Sequence, residues 1–353
     1  RRSACQEPSG TPAHQARPPP PHTRLLAQPC SSPPVGQLLG CDFFNVGADT
    51  RAISFDGKPV RSSVLTLLFG ILRLNETILK LDLSHVDIDV EAAKALETAL
   101  SYNGTVTALD LRDNPRLWML KPSGEESAEA LEALARGLCA NSAVRHVLVD
   151  EFEMPVRLLK GIGDKGEPIS ELSYPSCKGL SNVSATLLGA LVEKNTATKK
   201  LDLSANRTAT RLGHAVGRCL QSNTVLLEVL LRECDLRDEG AGALADGLRT
   251  NSASVLARLD LASNSIQLAG AERLAELLRV SKSLAKLDLT TNQLGTAGTA
   301  ALMPSLHKNT ALTALSIRDN DIDQQGAAAI AAALRVNVSL STLWLGKNKL
   351  QNE

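Results

Sequence analysis

Four stretches decide the fold of this chain: LARLDLASNSI at 256–266, LAKLDLTTNQL at 284–294, LTALSIRDNDI at 312–322 and LSTLWLGKNKL at 340–350. They are one motif, LxxLxLxxNxL, and its asparagines, Asn264, Asn292, Asn320 and Asn348, recur every 28 residues. A fixed period of that size marks stacked units, none of which buries its own apolar face alone. Outward from this core, copies stand at VTALDLRDN (Asn114), TKKLDLSAN (Asn206) and LLEVLLREC (Cys234), with degenerate ones at ILKLDLSHV (Val86) and ISELSYPSC (Cys177). TRAISFDGK and VRHVLVDEF, with Lys58 and Phe152 in the asparagine position, bring the count to about eleven units.

Between motifs the pattern switches to helical spacing, as in GAGALADGLRTNS (240–252), GAERLAELLRVSKS (270–283) and GAAAIAAALRVNVS (326–339). Each unit is therefore a short strand followed by a helix. Gly240, Gly270, Gly298 and Gly326 sit at the helix entry, where a small residue allows close packing or unusual backbone angles. The motif asparagine is expected to turn into the loop and hydrogen-bond backbone between coils, a role that the thiols of Cys177 and Cys234 partly fill.

These residues resemble the ribonuclease-inhibitor-like class of leucine-rich repeats, with its unit of roughly 28 residues and full α-helix. The resemblance covers residues 50 to 353 and is strongest from Thr198 onward. It implies an α/β leucine-rich-repeat solenoid, a horseshoe with parallel strands on the concave face and α-helices on the convex face. The repeats are similar to those of NOD-like receptors and Ran GTPase-activating proteins, and solenoids of this type also occur in actin-associated proteins.

Two domains are expected: a disordered Pro-rich tail over 1–40 and a repeat domain over 41–353. The tail carries Pro18 to Pro21, then Pro29, Pro33 and Pro34, with few large apolar residues. The interval from Asn114 to Phe152 is too long and that from Phe152 to Cys177 too short, so the region around 115–170 is expected to be irregular. A chain that begins with Arg1 and stops at Glu353, just past a motif, is expected to be a fragment truncated at its C-terminus.

Aromatic residues are only 3% of the chain, so the core is built from aliphatic side chains. Lys plus Arg and Asp plus Glu both number 38, giving no global field for nucleic acid or an anionic membrane. The 7 cysteines form no CxxC pair, and no apolar run reaches the length of a membrane span, so a cytoplasmic protein with reduced thiols is expected.

Residues between the buried leucines face outward from the strands. One column reads Ser54, Asp82, Asp110, Leu148, Ser173, Asp202, Leu230, Asp260, Asp288, Ser316 and Trp344, an acidic ladder. Cations flank it: Lys80, Lys200, Arg258 and Lys286 two residues earlier, Arg112, Arg232 and Arg318 two residues later. Asp82, Asp110, Arg112, Asp202, Arg232, Arg258, Asp260, Asp288, Arg318 and Trp344 are thus the candidate partner-binding residues, suited to a partner of mixed or basic charge; the competing possibility is a solvated face whose charges pair with each other. Trp118 and Trp344 are the 2 tryptophans, a residue type enriched at binding hot spots; the competing readings are that Trp118 covers the apolar residues of its own insertion and that Trp344 is covered by repeats missing from a truncated end.

Other signals are weaker. Gly161 to Gly166 matches GxGxxG, but Glu167–Pro168 follows instead of a helix, which leaves a flexible loop. The histidines, His146 and His214 among them, have no partner at metal-ligand spacing. Sequons at Asn75, Asn103, Asn182 and Asn337 are coincidences of composition, and Asn206 is a buried ladder residue. The expectation is a non-enzymatic protein-interaction scaffold binding an unidentified protein through its concave face, without cofactor, metal, nucleic acid, membrane or small-molecule substrate. The alternative is a GTPase-activating protein of the Ran-activator type, acting on a partner's active site.

Overall fold

The computed structural model describes residues 50–55, 58–118 and 129–350, with the side chain of Trp118 excepted. The 1–40 tail and residues 119–128 of the irregular region lie outside them.

Strand and helix alternate. The first sheet contains β1 (Ala52–Ser54), β2 (Lys80–Asp82), β3 (Ala108–Asp110), β4 (His146–Val149) and β5 (Phe152–Pro155). The second contains β6 (Glu171–Ser173), β7 (Lys200–Asp202), β8 (Glu228–Leu230), β9 (Arg258–Asp260), β10 (Lys286–Asp288), β11 (Ala314–Ser316) and β12 (Thr342–Trp344). Helices follow the strands: α1 (Ser62–Leu72), α2 (Val90–Tyr102), α3 (Glu129–Ala140), α4 (Val156–Leu159), α5 (Asn182–Glu193), α6 (Thr210–Leu220), α7 (Arg237–Thr250), α8 (Leu268–Val280), α9 (Gly295–Leu302) and α10 (Gln324–Leu334).

Parallel pairing keeps the motif in register, with Asp260 beside Asp288 and Asp288 beside Ser316. Adjacent strands lie about 4.8 Å apart, whereas packed helices need about 8–10 Å. The stack therefore curves with the sheets on the inside, the horseshoe expected from the repeats. Motif leucines such as Leu259, Leu261, Leu287 and Leu289 are at most 2% exposed, each stabilising by about 1.5–3 kcal/mol relative to exposure.

The helices approach so closely that glycine is required at some contacts. A Cβ on Gly247 would collide with the backbone carbonyl of Gly217, and one on Gly217 with that of Ala243. The entry glycines Gly240, Gly270, Gly298 and Gly326 serve packing as well, since none has a positive φ.

Two asparagine ladders pin the coils. In the expected one, Asn264 Oδ1 accepts from Cys234 N and Leu236 N while its Nδ2 donates to Leu231 O. Asn292 and Asn348 repeat this on the next coils. Cys177 and Cys234 stand in the same place, donating their thiols to Tyr174 O and Leu203 O. Burial pushes the Cys234 thiol up to about 11, so it remains a donor.

The second ladder follows the helices. Asn251 Nδ2 donates to Leu220 O and Asn223 O, joining the end of one helix to the loop beside it, and Asn103, Asn141, Asn223 and Asn337 do the same. This corrects the view of the sequons as coincidences. Asn103 and Asn337 belong to this ladder, Asn75 stands at its start with its own carbonyl accepting from Asn103 Nδ2, and at all three the Ser or Thr two residues later offers its N–H to the asparagine Oδ1.

The irregular region also corrects the expectation that all strands are parallel. After β4 the chain turns at Asp150–Glu151 and returns as β5, antiparallel to β4, with Val149 opposite Phe152. Phe152 is thus a buried strand residue, not a ladder position. The first sheet ends there, and one turn of helix, α4, replaces the usual long one. Gly161 to Ile169 is not a loose loop: Gly163 N donates to Glu167 O at 2.7 Å and Ile169 N to Gly161 O at 2.9 Å. The core nevertheless continues across the break, from Leu138 and Leu159 to Leu188.

Lys160 completes the joint there. Its Nζ donates to Leu138 O and Asn141 O, the pair of carbonyls that an asparagine amide bridges elsewhere. Burial lowers its pKa below the usual lysine value, partly opposed by Cys139.

Candidate functional site

The concave face contains all ten candidate residues, but not as one ladder. Asp82, Asp110 and Arg112 lie on the first sheet; Asp202, Arg232, Arg258, Asp260, Asp288, Arg318 and Trp344 lie on or just beyond strands of the second. The turn back at β5 separates the two groups.

The acidic column does a different job from the one its sequence suggested. Every aspartate in it accepts, through Oδ1, the backbone N–H two residues ahead: Ser84 on Asp82, Arg112 on Asp110, Ser204 on Asp202, Ala262 on Asp260 and Thr290 on Asp288, all between 2.9 and 3.1 Å. Each carboxylate therefore closes the turn at the end of its strand, just before a residue held at positive φ, such as His85, Asp113, Ala205, Ser263 or Thr291. The signal was present as the Asp-x-x-x-Asn spacing, but periodicity does not say where a carboxylate points.

Second oxygens are engaged at Asp82 and Asp110, by Ser54 Oγ and by Arg112 Nη2, whereas Thr290 Oγ1 adds its bond to the same Oδ1 of Asp288 that takes the Thr290 N–H. Arg258 lies 3.6 Å from both Glu228 and Asp260. Lys200 pairs with Glu171 and Arg232 with Glu233.

Environment splits the column. At Asp82 burial raises the pKa, but the Ser84 N–H and hydroxyl, the Ser54 hydroxyl and Arg112 outweigh it and hold the carboxyl below the usual value. At Asp260 burial dominates, helped by the neighbouring Asp288, and the carboxyl is held above the usual value. Asp260 is only 7% exposed, and Ser316 is buried as well.

What remains available gathers on the last strands. A groove of about 480 Å³ runs over β9 to β12, lined by Arg258, Lys286, Asp288, Thr313, Thr342 and Trp344 among others. Trp344 is 50% exposed there. Lys286, absent from the ten candidates, is exposed on β10 and forms no ion pair among the described residues; Arg318, also exposed, is in the same condition. Arg318 lies along Gly346, its side chain 3.8–4.0 Å from where a Cβ there would stand.

Among the described residues no cluster of three or more His, Cys, Asp or Glu is placed to hold a metal ion, and no helix is long and apolar enough to cross a membrane. His146 pairs with Glu153 at 3.2 Å, and His214 Nδ1 lies 2.9 Å from Thr210 O on its own helix.

A family model described as Leucine Rich repeat matches residues 222–245 and 308–331. Leucine-rich repeat-containing protein 45 of Gallus gallus is 36% identical over 85 residues, which is 24% of this chain and only 12% of that protein. Among solved structures, the tropomodulin C-terminal domain of Caenorhabditis elegans is 21% identical at a TM-score of 0.35, covering 38% of this chain and 81% of its own. The yeast Rad7 and Elc1 complex is 15% identical at a TM-score of 0.32, covering 80% of this chain and 76% of its own. With its parallel strands, outer helices and buried asparagine ladders, the chain is a leucine-rich-repeat solenoid.

Proposed function

We propose that this solenoid is a protein-recognition module, non-enzymatic in itself, whose working surface is the concave face of the second sheet. The observation that carries the reading is the groove over β9 to β12, where a half-exposed Trp344 stands with Lys286, while Arg318 is exposed just past β11; neither cation has an ion pair among the described residues. Elsewhere on the face most charged side chains are tied to backbone or to each other, Lys80 on β2 being an exposed cation without an ion pair among the described residues. Aromatic residues and arginine are enriched at binding hot spots, so this concentration favours the C-terminal end of the arc as the contact point. Of the remaining candidates, Asp202, Arg232, Arg258, Asp260 and Asp288 form the supporting frame of that surface, while Asp82, Asp110 and Arg112 stand on the first sheet, outside it.

The full helix in most units and the period of 28 residues support the ribonuclease-inhibitor-like class. A cytoplasmic setting is supported by Cys139, Cys177, Cys219 and Cys234, which are free thiols. No residue feature among those described favours the GTPase-activating alternative.

The test is affinity capture with the full chain, comparing Lys286→Glu and Trp344→Ala with Lys282→Glu in the exposed loop after α8. Loss of a captured protein with the first two and retention with the third is the expected outcome. A partner indifferent to both concave substitutions refutes the proposal. Reversing the aspartates is the wrong probe, because it removes turn-closing carboxylates and perturbs the fold.

A further inference from the structure

We infer that the groove over β10 to β12 takes an extended acidic peptide segment, seating one apolar side chain against Trp344. This rests on the protein-recognition reading of the face and narrows it to one chemistry.

The acids of the groove are engaged by the chain itself: the half-buried Asp288 takes with Oδ1 both the N–H of Thr290 at 2.9 Å and its hydroxyl at 2.5 Å, and Asp260 is buried with its Oδ1 on Ala262 N. The cations project outward without carboxylate partners: Lys286 on β10 and Arg318 just past β11. A partner carboxylate supplies the charge that the chain itself withholds, and complementary charge of this kind sets specificity and association rate.

Geometry suits an extended ligand. Lys286 and Trp344 lie two strands apart and two residues out of register, about 12 Å, which about four residues of extended chain span. Arg318, just past β11, lies against Gly346, two residues beyond Trp344 in the chain, and adds a second exposed cation near that end of the face. Neither of the other charged regions offers this. Arg112 is held by Asp110 on the first sheet. In the cleft among α3, α5 and α6, Arg136, Arg218 and Lys194 are paired with Glu97, Glu132 and Glu193.

The experiment is fluorescence anisotropy on the full chain. The probe is a labelled glutamate peptide of about ten residues carrying a central Leu and Phe, with its lysine counterpart as control. The glutamate peptide is expected to bind in a salt-sensitive manner, weakening at least about tenfold with Lys286→Glu/Arg318→Glu and several-fold with Trp344→Ala. Should the reversal fail to fold by circular dichroism, Lys286→Gln/Arg318→Gln replaces it. Failure of the acidic peptide to bind, or binding unchanged by these variants, overturns the inference. An unbiased displayed peptide library panned on the same protein separates the two levels. Basic or neutral ligands that require Trp344 overturn the acidic chemistry but keep the face; ligands indifferent to Trp344→Ala overturn both.

Discussion

The regular arc from β7 to β12 and the break between β5 and β6 solve the same problem differently. Stacking two coils leaves the carbonyl at a helix end and the one in the adjoining loop facing a neighbour instead of water. Along the arc a neutral amide, such as Asn251 on Leu220 O and Asn223 O, supplies the donor. At the break no helix of ordinary length carries such an asparagine, and the amine of Lys160 reaches in to bond Leu138 O and Asn141 O. The donor is what the joint requires; the charge is an expense incurred only where the repeat fails, and it shows as the lowered pKa of Lys160.

Four experiments probe that contrast. The largest effect is expected within the arc: Asn264→Ala leaves Cys234 N, Leu236 N and Leu231 O without their partner at a fully buried position. A loss of about 3–5 kcal/mol in urea denaturation is expected from several orphaned groups; a loss below about 1 kcal/mol would show that the ladder is dispensable.

Next comes packing. Gly247→Ala places a methyl against the Gly217 carbonyl and should cost about 2–3 kcal/mol. Gly70→Ala in α1, which has open space around its Cβ, should be neutral or stabilise by up to about 1 kcal/mol. Equal thermal shifts for the two would contradict the close helix contact.

At the break, Lys160→Met removes the donor and should cost about 1–2 kcal/mol near neutral pH. The group also predicts a pH dependence. Because its folded pKa lies below the ordinary 10.5, the unfolded chain holds more protons between the two values, and the lysine's contribution rises with pH across that window. The advantage of Lys160 over Met should therefore grow as pH rises from the folded pKa toward the ordinary 10.5. Burial raises the Cys139 thiol, an opposite trend, so the comparison belongs in a Cys139→Ala background. A constant difference would contradict the desolvated amine.

The smallest effect contrasts the two sheets. Carboxyl NMR titration should find Asp82 below and Asp260 above the ordinary value of 3.8. Asp82 then contributes stability that is present above 3.8 and lost as pH falls through its folded pKa. Asp260 runs the other way: its cost is present above its folded pKa and disappears as pH falls toward 3.8. Identical titration of both would remove the distinction between a solvated and a buried part of the column.

The sequence alone determined the solenoid. Leucines that cannot be buried within one unit, asparagines every 28 residues and helical spacing between them leave stacking as the way to remove that apolar surface from water. It also placed the irregular region and the substitution of Cys177 and Cys234 into the ladder, because both show as departures from a period. Only the tertiary structure decided where hydrogen bonds go. The Asp column closes turns, the sequons at Asn103 and Asn337 are joints between coils, Phe152 begins a strand that runs backward, and Lys160 serves as an asparagine. Periodicity reports which side of an element a residue occupies but not where a carboxylate two residues from its donor points, and partners such as Lys160 and Leu138, 22 residues apart, or Asn141 and Leu100, 41 apart, meet only when the coils are stacked.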